Sequence, residues 1–144
     1  MPTEITTEHI KRVVIDASIA VKLFSEEAGT TQAENLLARC FAGSAELFAP
    51  DLLIYEVVNA LGKGKKFSAG EITEAIEDLY NSRIQIFPPD TLLTSTAVEI
   101  MTRHNLTFYD ASYAALSKIL NIPLLSADAR AHKKIPDIET IELL

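Results

Sequence analysis

The chain is short of several things, and each shortage closes a route. It has one cysteine, Cys40, in 144 residues, so no intrachain disulfide can form. Cys40 falls in the apolar stripe of a helical segment, which points to packing rather than to thiol chemistry. The three histidines, His9, His104 and His132, stand at no metal-ligand spacing with one another or with cysteine, which argues against zinc. There is no glycine-rich phosphate loop and no G-x-S-x-G elbow. No apolar run is long enough to span a bilayer, so no membrane association is expected. The start, Met1 to Glu8, carries Glu where a secretory signal carries Lys or Arg. These absences lead to the expectation of a soluble, cytoplasmic protein. Positive charge is also scarce: 13 Lys and Arg stand against 20 Asp and Glu, for a net charge of −7 and a pI of about 4.9. Phosphate binding is driven largely by cations, so tight non-specific nucleic-acid binding is not expected, and only a local basic patch would hold a polynucleotide transiently.

What is present is a core. Hydrophobic residues make up 48% of the chain, enough for one globular domain, expected over 11–144 after a flexible leader at 1–10. Arg12 to Asp16 reads as a buried strand, a β-branched run ending in Asp-Ala-Ser. Ala33, Leu36, Leu37, Cys40 and Phe41 share one helical face. Leu47 to Ala49 is a second strand, and Pro50-Asp51 opens a helix carrying Glu56. Lys63-Gly64-Lys65-Lys66 reads as a flexible basic turn. Ser68 and Glu71 form a capping box for a helix with Ile72, Ala75, Ile76, Leu79 and Tyr80 on its apolar face. Arg83 to Phe87 is a third strand, closed by Pro88-Pro89. Asp90 caps a helix with Leu93, Ala97, Ile100 and Met101 inward, and the Asp110 helix runs to about Leu120, its small Ala111, Ala114 and Ala115 suited to close packing. Asn121 to Ser126 is a fourth strand and Ile138 to Leu143 a possible fifth. Strands alternating with helices, apolar on both faces, predict an α/β fold of three layers: a central parallel sheet of four or five strands flanked by helices.

In such sheets ligands bind beyond the carboxyl ends of the strands, and acidic residues recur there. Asp16 follows the first strand, Asp128 follows the fourth, Glu56 lies within a helix after the second, and Asp110 stands in the first turn of its helix. Each has a bland explanation. Asp16 and Asp128 can be caps, Glu56 can face solvent, and Asp110 is favoured by the helix dipole. If they converge, four like charges need protonation, separation or a cation, and hard oxygen ligands suit Mg²⁺ or Mn²⁺. A carboxylate site holding divalent metal is the usual equipment of phosphodiester hydrolysis. Ser18, Asn59 and Ser126 are candidates to orient the carboxylates, Asn59 steadying Glu56 from one turn away. The Lys63/Lys65/Lys66 turn and the Arg130/His132/Lys133/Lys134 cluster read either as solvated charge or as guides for a polynucleotide.

Taken together these residues resemble the PIN-domain nucleases, and within them the VapC-type toxins. The resemblance runs from about Arg12 to Leu143 through four short motifs: Val14-Ile15-Asp16-Ala17-Ser18, Ala49-Pro50 through Glu56 to Asn59-Ala60, Phe108 through Asp110 to Leu116, and Leu124-Leu125-Ser126-Ala127-Asp128. Ser126 stands where many relatives have Thr. The resemblance implies a metal-dependent endoribonuclease with Asp16, Glu56, Asp110 and Asp128 as metal ligands. It also implies homodimers and inhibition by a small antitoxin protein. Three other readings stay open: a PIN nuclease outside toxin–antitoxin pairs, a non-catalytic PIN-like interaction module, and phosphoryl transfer on an aspartyl nucleophile. Ser18 counts against the last, which resembles D-x-D at that place.

Overall fold

The computed structural model describes residues 7–130, 132 and 135–143. After a 3-10 turn at Thr7–His9, the chain forms β1 (Arg12–Ile15), α1 (Ala17–Val21), α2 (Thr30–Phe41), β2 (Glu46–Pro50) and α3 (Leu52–Asn59). It continues through α4 (Ala69–Asn81), β3 (Gln85–Phe87), α5 (Thr91–His104), α6 (Phe108–Leu120), β4 (Leu124–Ser126) and β5 (Thr140–Glu142). The strands make one sheet in the order β3-β2-β1-β4-β5, with every pairing parallel. The expected three-layer α/β fold is present, with five strands.

Both faces of the central strands are covered. Val13, Val14 and Ile15 of β1 are all at most 1% exposed, although successive side chains point to opposite faces. Leu47, Phe48 and Ala49 of β2 and Leu124, Leu125 and Ser126 of β4 are buried in the same way. The strand order reverses direction between β1 and β4, so the crevice for a ligand opens at the carboxyl ends of those two strands. Asp16 and Ser126 stand there, and the Asp16 N–H donates to the Leu125 carbonyl at 3.3 Å.

The capping box at Ser68 and Glu71 and the Asp90 cap on α5 form as expected. Cys40 is buried in the core, and burial raises its thiol pKa. Other expectations need correction. The helical region after β1 is two helices, separated at Gly29, whose φ of 88° only glycine adopts cheaply. The strands are mostly shorter than expected; Asn121, for instance, ends α6 in a left-handed conformation, and β4 begins only at Leu124. Phe41 and Tyr80 are 48% and 63% exposed, because each sits at the edge of its helix's apolar stripe where the core has ended. Residues 63–66 are no loose turn: α3 continues as a π-helical turn over Ala60–Gly64, and the Lys65 ammonium reaches Glu27 at 2.8 Å. Residues 1–6 of the expected leader lie outside the described residues. Thr7 and Ile10 are buried, and the Arg39 guanidinium donates to both of their carbonyls. Among the described residues, no helix is long and apolar enough to cross a membrane.

Candidate active site

Asp16 is held by the start of α1. It is the N-cap of that helix and accepts from the Ser18 and Ile19 N–H groups at 3.1 and 3.4 Å. The Ser18 hydroxyl donates to the same oxygen at 2.5 Å. That hydroxyl also accepts from the Ala127 N–H at 2.8 Å and lies 3.4 Å from the Ser126 hydroxyl, which accepts from the Asp128 N–H at 3.1 Å. Ser18 and Ser126 therefore stitch the loop after β1 to the loop after β4. Asp16 is both a cap and a member of the crevice. Burial pushes its carboxyl above the usual range, against hydrogen bonds from Ser126 and Ser18 and the charge of His132.

Glu56 projects from the middle of α3 and is half-buried. Its partner is Tyr113 of α6, whose hydroxyl donates to Oε1 at 2.5 Å while the residue is 2% exposed. Burial raises the Glu56 pKa most; Tyr113 opposes the rise, and the charges of Asp110 and Asp16 add to it. The Tyr113 phenol is in turn raised above its ordinary range, by burial first and then by Glu56. Asp110 lies one turn before Tyr113 on α6. Its N–H donates to the Thr107 hydroxyl that caps the helix, at 3.1 Å. Among the described residues no Lys or Arg pairs with Asp16, Glu56 or Asp110.

The four expected carboxylates, Asp16, Glu56, Asp110 and Asp128, line one cleft of about 700 Å³ together with Ser18, Tyr113, Arg130 and His132. They are not equivalent. Asp128 is exposed and turned to Arg130, which grips both its oxygens at 3.0 Å and lowers its pKa. Asn59 is exposed, makes no bond to Glu56, and lines a neighbouring groove, so the steadying group is Tyr113 instead. His132 is no solvated cation. It is 2% exposed, with Nε2 at 3.8 Å from Asp16 and Nδ1 buried without a partner. Lys133 and Lys134 lie outside the described residues.

Tyr113 and His132 are the participants that sequence reasoning missed. Tyr113 is three residues after Asp110, hence on the same helical face, and that spacing was its one available signal. Nothing local marks His132.

Hard carboxylate oxygens, carrying excess negative charge without a neutralising Lys or Arg, are the donors a divalent ion of the Mg²⁺ kind takes. The fit is one of chemistry and charge. Among the described residues no three His, Cys, Asp or Glu side chains gather tightly enough to chelate an ion, so the carboxylates would have to draw closer to hold one.

The comparisons with known proteins bear on the family and the fold. Ribonuclease VapC3 of Pyrobaculum aerophilum is 29% identical over 134 residues, covering 90% of this chain and 98% of that protein. Among solved structures, a toxin-antitoxin complex from Klebsiella pneumoniae superposes with a TM-score of 0.69 at 16% identity, covering 92% of this chain and 98% of that one. VapC20 of Mycobacterium tuberculosis, a sarcin-ricin loop cleaving toxin, superposes at 0.67 with 16% identity, covering 84% of this chain and 93% of that one. At such identities the structures speak for the fold alone. The family model of the PIN domain matches residues 13–137, the stretch from β1 past β4 that carries all four carboxylates, and the chain belongs to the PIN domain family.

Proposed function

We propose that this protein is a divalent-metal-dependent endoribonuclease that hydrolyses RNA phosphodiester bonds as the toxin of a toxin–antitoxin pair. One observation carries the reading: Asp16, Glu56 and Asp110 line a single cleft, with no Lys or Arg among the described residues neutralising them, at the crevice where the strand order reverses. The similar protein of Pyrobaculum aerophilum is a ribonuclease, which supports RNA as substrate. The Klebsiella pneumoniae neighbour is a toxin-antitoxin complex, which supports an inhibitory protein partner.

Asp16, Glu56 and Asp110 would hold Mg²⁺ or Mn²⁺, with Asp128 completing the set after release from Arg130. Such an ion, when bound, acidifies water and offsets charge on the leaving oxygen. Ser18 and Ser126 keep Asp16 in place by the hydrogen bonds described above. Tyr113 holds Glu56 by donating from a buried phenol that does not ionise near neutral pH. Asn59 plays no part in orienting the carboxylates. A homodimer and a cognate antitoxin belong to the same reading; an antitoxin that places a basic side chain among the carboxylates would inhibit by supplying the missing positive charge.

The Glu56–Tyr113 and Asp128–Arg130 contacts favour one competitor, a non-catalytic module whose acids are already satisfied. Purified, partner-free protein separates the two. Cleavage of RNA with Mg²⁺ or Mn²⁺ that EDTA stops supports the nuclease. Neither cleavage nor metal binding by titration supports the module.

A further inference from the structure

The cleft of the carboxylates runs on into a second groove of about 740 Å³, and the two share Ala17, Ser18 and Glu56. The walls of this second groove carry two exposed aromatic rings. Tyr55 is 72% exposed on α3 and Tyr109 is 58% exposed on α6. Each immediately precedes a carboxylate of the first cleft, Glu56 and Asp110, so helix geometry turns the acid one way and the ring the other. Among the described residues neither phenol has a hydrogen-bond partner. Val21 and Leu52 add apolar surface, and the Asn59 amide faces the same space.

Exposing two large rings beside a reactive centre costs apolar surface that folding would otherwise cover, and no contact among the described residues explains it. Electrostatics sharpens the point. The net charge is −7, Arg130 is tied to Asp128, and Lys65 on the wall of the groove is tied to Glu27. Among the residues that line the two grooves, Lys65 and Arg130 are the lysine and arginine, and both are already paired, which weakens their grip on an RNA's phosphates. Affinity must come from a term that charge does not oppose. Stacking of bases on aromatic rings is such a term, and it tolerates sequence because every base has a π-face.

We propose that Tyr55 and Tyr109 form a stacking platform for unpaired nucleobases next to the scissile phosphate, with Asn59 offering its amide to a base edge. The proposal rests on the ribonuclease reading for the identity of the substrate. It assigns binding residues outside the carboxylate set, and it requires bases that are free to leave a stack. A duplex keeps its base faces covered and cannot use the platform.

The chain contains no tryptophan, which allows a direct optical test. Tyr55→Trp places a single indole in the groove. With EDTA present, so that no RNA is cut, a single-stranded RNA octamer should quench that indole saturably. An octamer of abasic ribose phosphates, and an RNA duplex of equal length, should leave it nearly unchanged. Equal quenching by the abasic strand, or none by any strand, overturns the proposal. In parallel, Tyr55→Ala and Tyr109→Ala should each weaken octamer binding roughly ten-fold, the scale of one base–ring stack. Phe at either position should restore binding to within about two-fold. Alanine variants that bind the octamer like wild type overturn the platform and leave the rings to a protein partner's segment. The two readings fail separately. Base-dependent quenching in a protein that cuts nothing with any divalent ion upholds the platform while removing the nuclease. Normal cutting with alanine variants that bind normally removes the platform alone.

Discussion

Asp16 and Asp128 occupy matching places. Each follows the end of a central parallel strand, and each accepts from the N–H two residues on, at 3.1 and 3.4 Å. Their surroundings are opposite. Asp16 is 8% exposed, roofed by α1 and His132, and burial raises its pKa. Asp128 is exposed, gripped by Arg130, and its pKa is lowered. The same local motif therefore gives a carboxylate under electrostatic stress in one loop and a relaxed surface ion pair in the other. A carboxylate short of positive charge gains most from a metal ion, whereas one already paired must first give up its partner. The contrast sorts acids of the cleft: Asp16 belongs with Glu56, whose pKa burial also raises, and Asp128 stands apart.

The largest expected effect is on cleavage. Asp16→Asn, Glu56→Gln and Asp110→Asn should each lower kcat/KM by about a thousand-fold, the scale of losing a principal electrostatic group in an active site. Asp128→Asn should cost about ten-fold or less, since its charge is already spent on Arg130. Equal losses at Asp16 and Asp128, measured on one RNA at saturating metal, would erase the distinction between the two loops.

Metal-induced stabilisation comes next. Mg²⁺ or Mn²⁺ at a hundred times its Kd should raise the melting temperature by roughly 5–10 °C, because a ligand of the folded state stabilises it by mass action. The rise should shrink in Asp16→Asn and Asp110→Asn and persist in Asp128→Asn. A thermal melt that metal leaves unmoved in wild type would break the metal-site reading itself.

A third test uses pH without metal. A carboxyl raised on folding contributes stability that is full below its unfolded value, 3.8 for Asp16, and is lost as pH rises through the folded value. At neutral pH in EDTA, Asp16→Asn should therefore melt no lower than wild type; asparagine still caps α1, and its advantage should fade below about pH 4. Glu27 supplies the opposite sign. Lys65 and Lys22 hold it down at about 2, against an ordinary 4.5, so its contribution is present above 4.5 and disappears as pH falls toward 2. Glu27→Gln should destabilise at pH 7, and that effect should be lost as pH falls through about 2. Melting curves across this range check both, and parallel curves for the two variants would contradict the assignment.

The smallest effect belongs to Asp128→Asn in the same melts. An exposed ion pair is screened by salt and should leave the melting temperature indistinguishable from wild type. A clear drop would show that the Arg130 contact organises the loop after β4.

Much of this was legible along the chain. Val13-Val14-Ile15 and Leu124-Leu125 announce central strands because continuous apolar runs are stable only when both faces are covered. Ser68 and Glu71 announce a helix start because both halves of a capping box lie within four residues. The four carboxylates and the hydroxyls of Ser18 and Ser126 were all legible as candidates, and they do share one end of the sheet. What misled were features whose meaning depends on a distant partner. Asn59 sits at the right helical spacing to reach Glu56, yet Tyr113, 57 positions on, takes that place. Lys65 reads as a loose basic turn, yet its ammonium finds Glu27, 38 positions earlier. Tyr80 satisfies the apolar period of α4, yet no neighbouring element covers it.

The sequence by itself determined the parallel α/β fold and the residues available for its acidic site, because periodicity, capping and turn chemistry act over a few residues. Tertiary structure alone decided which acids are stressed and which are relaxed. Burial and charge pairing are set by whatever the fold brings alongside from elsewhere: His132 against Asp16, Tyr113 against Glu56, and open solvent around Asp128.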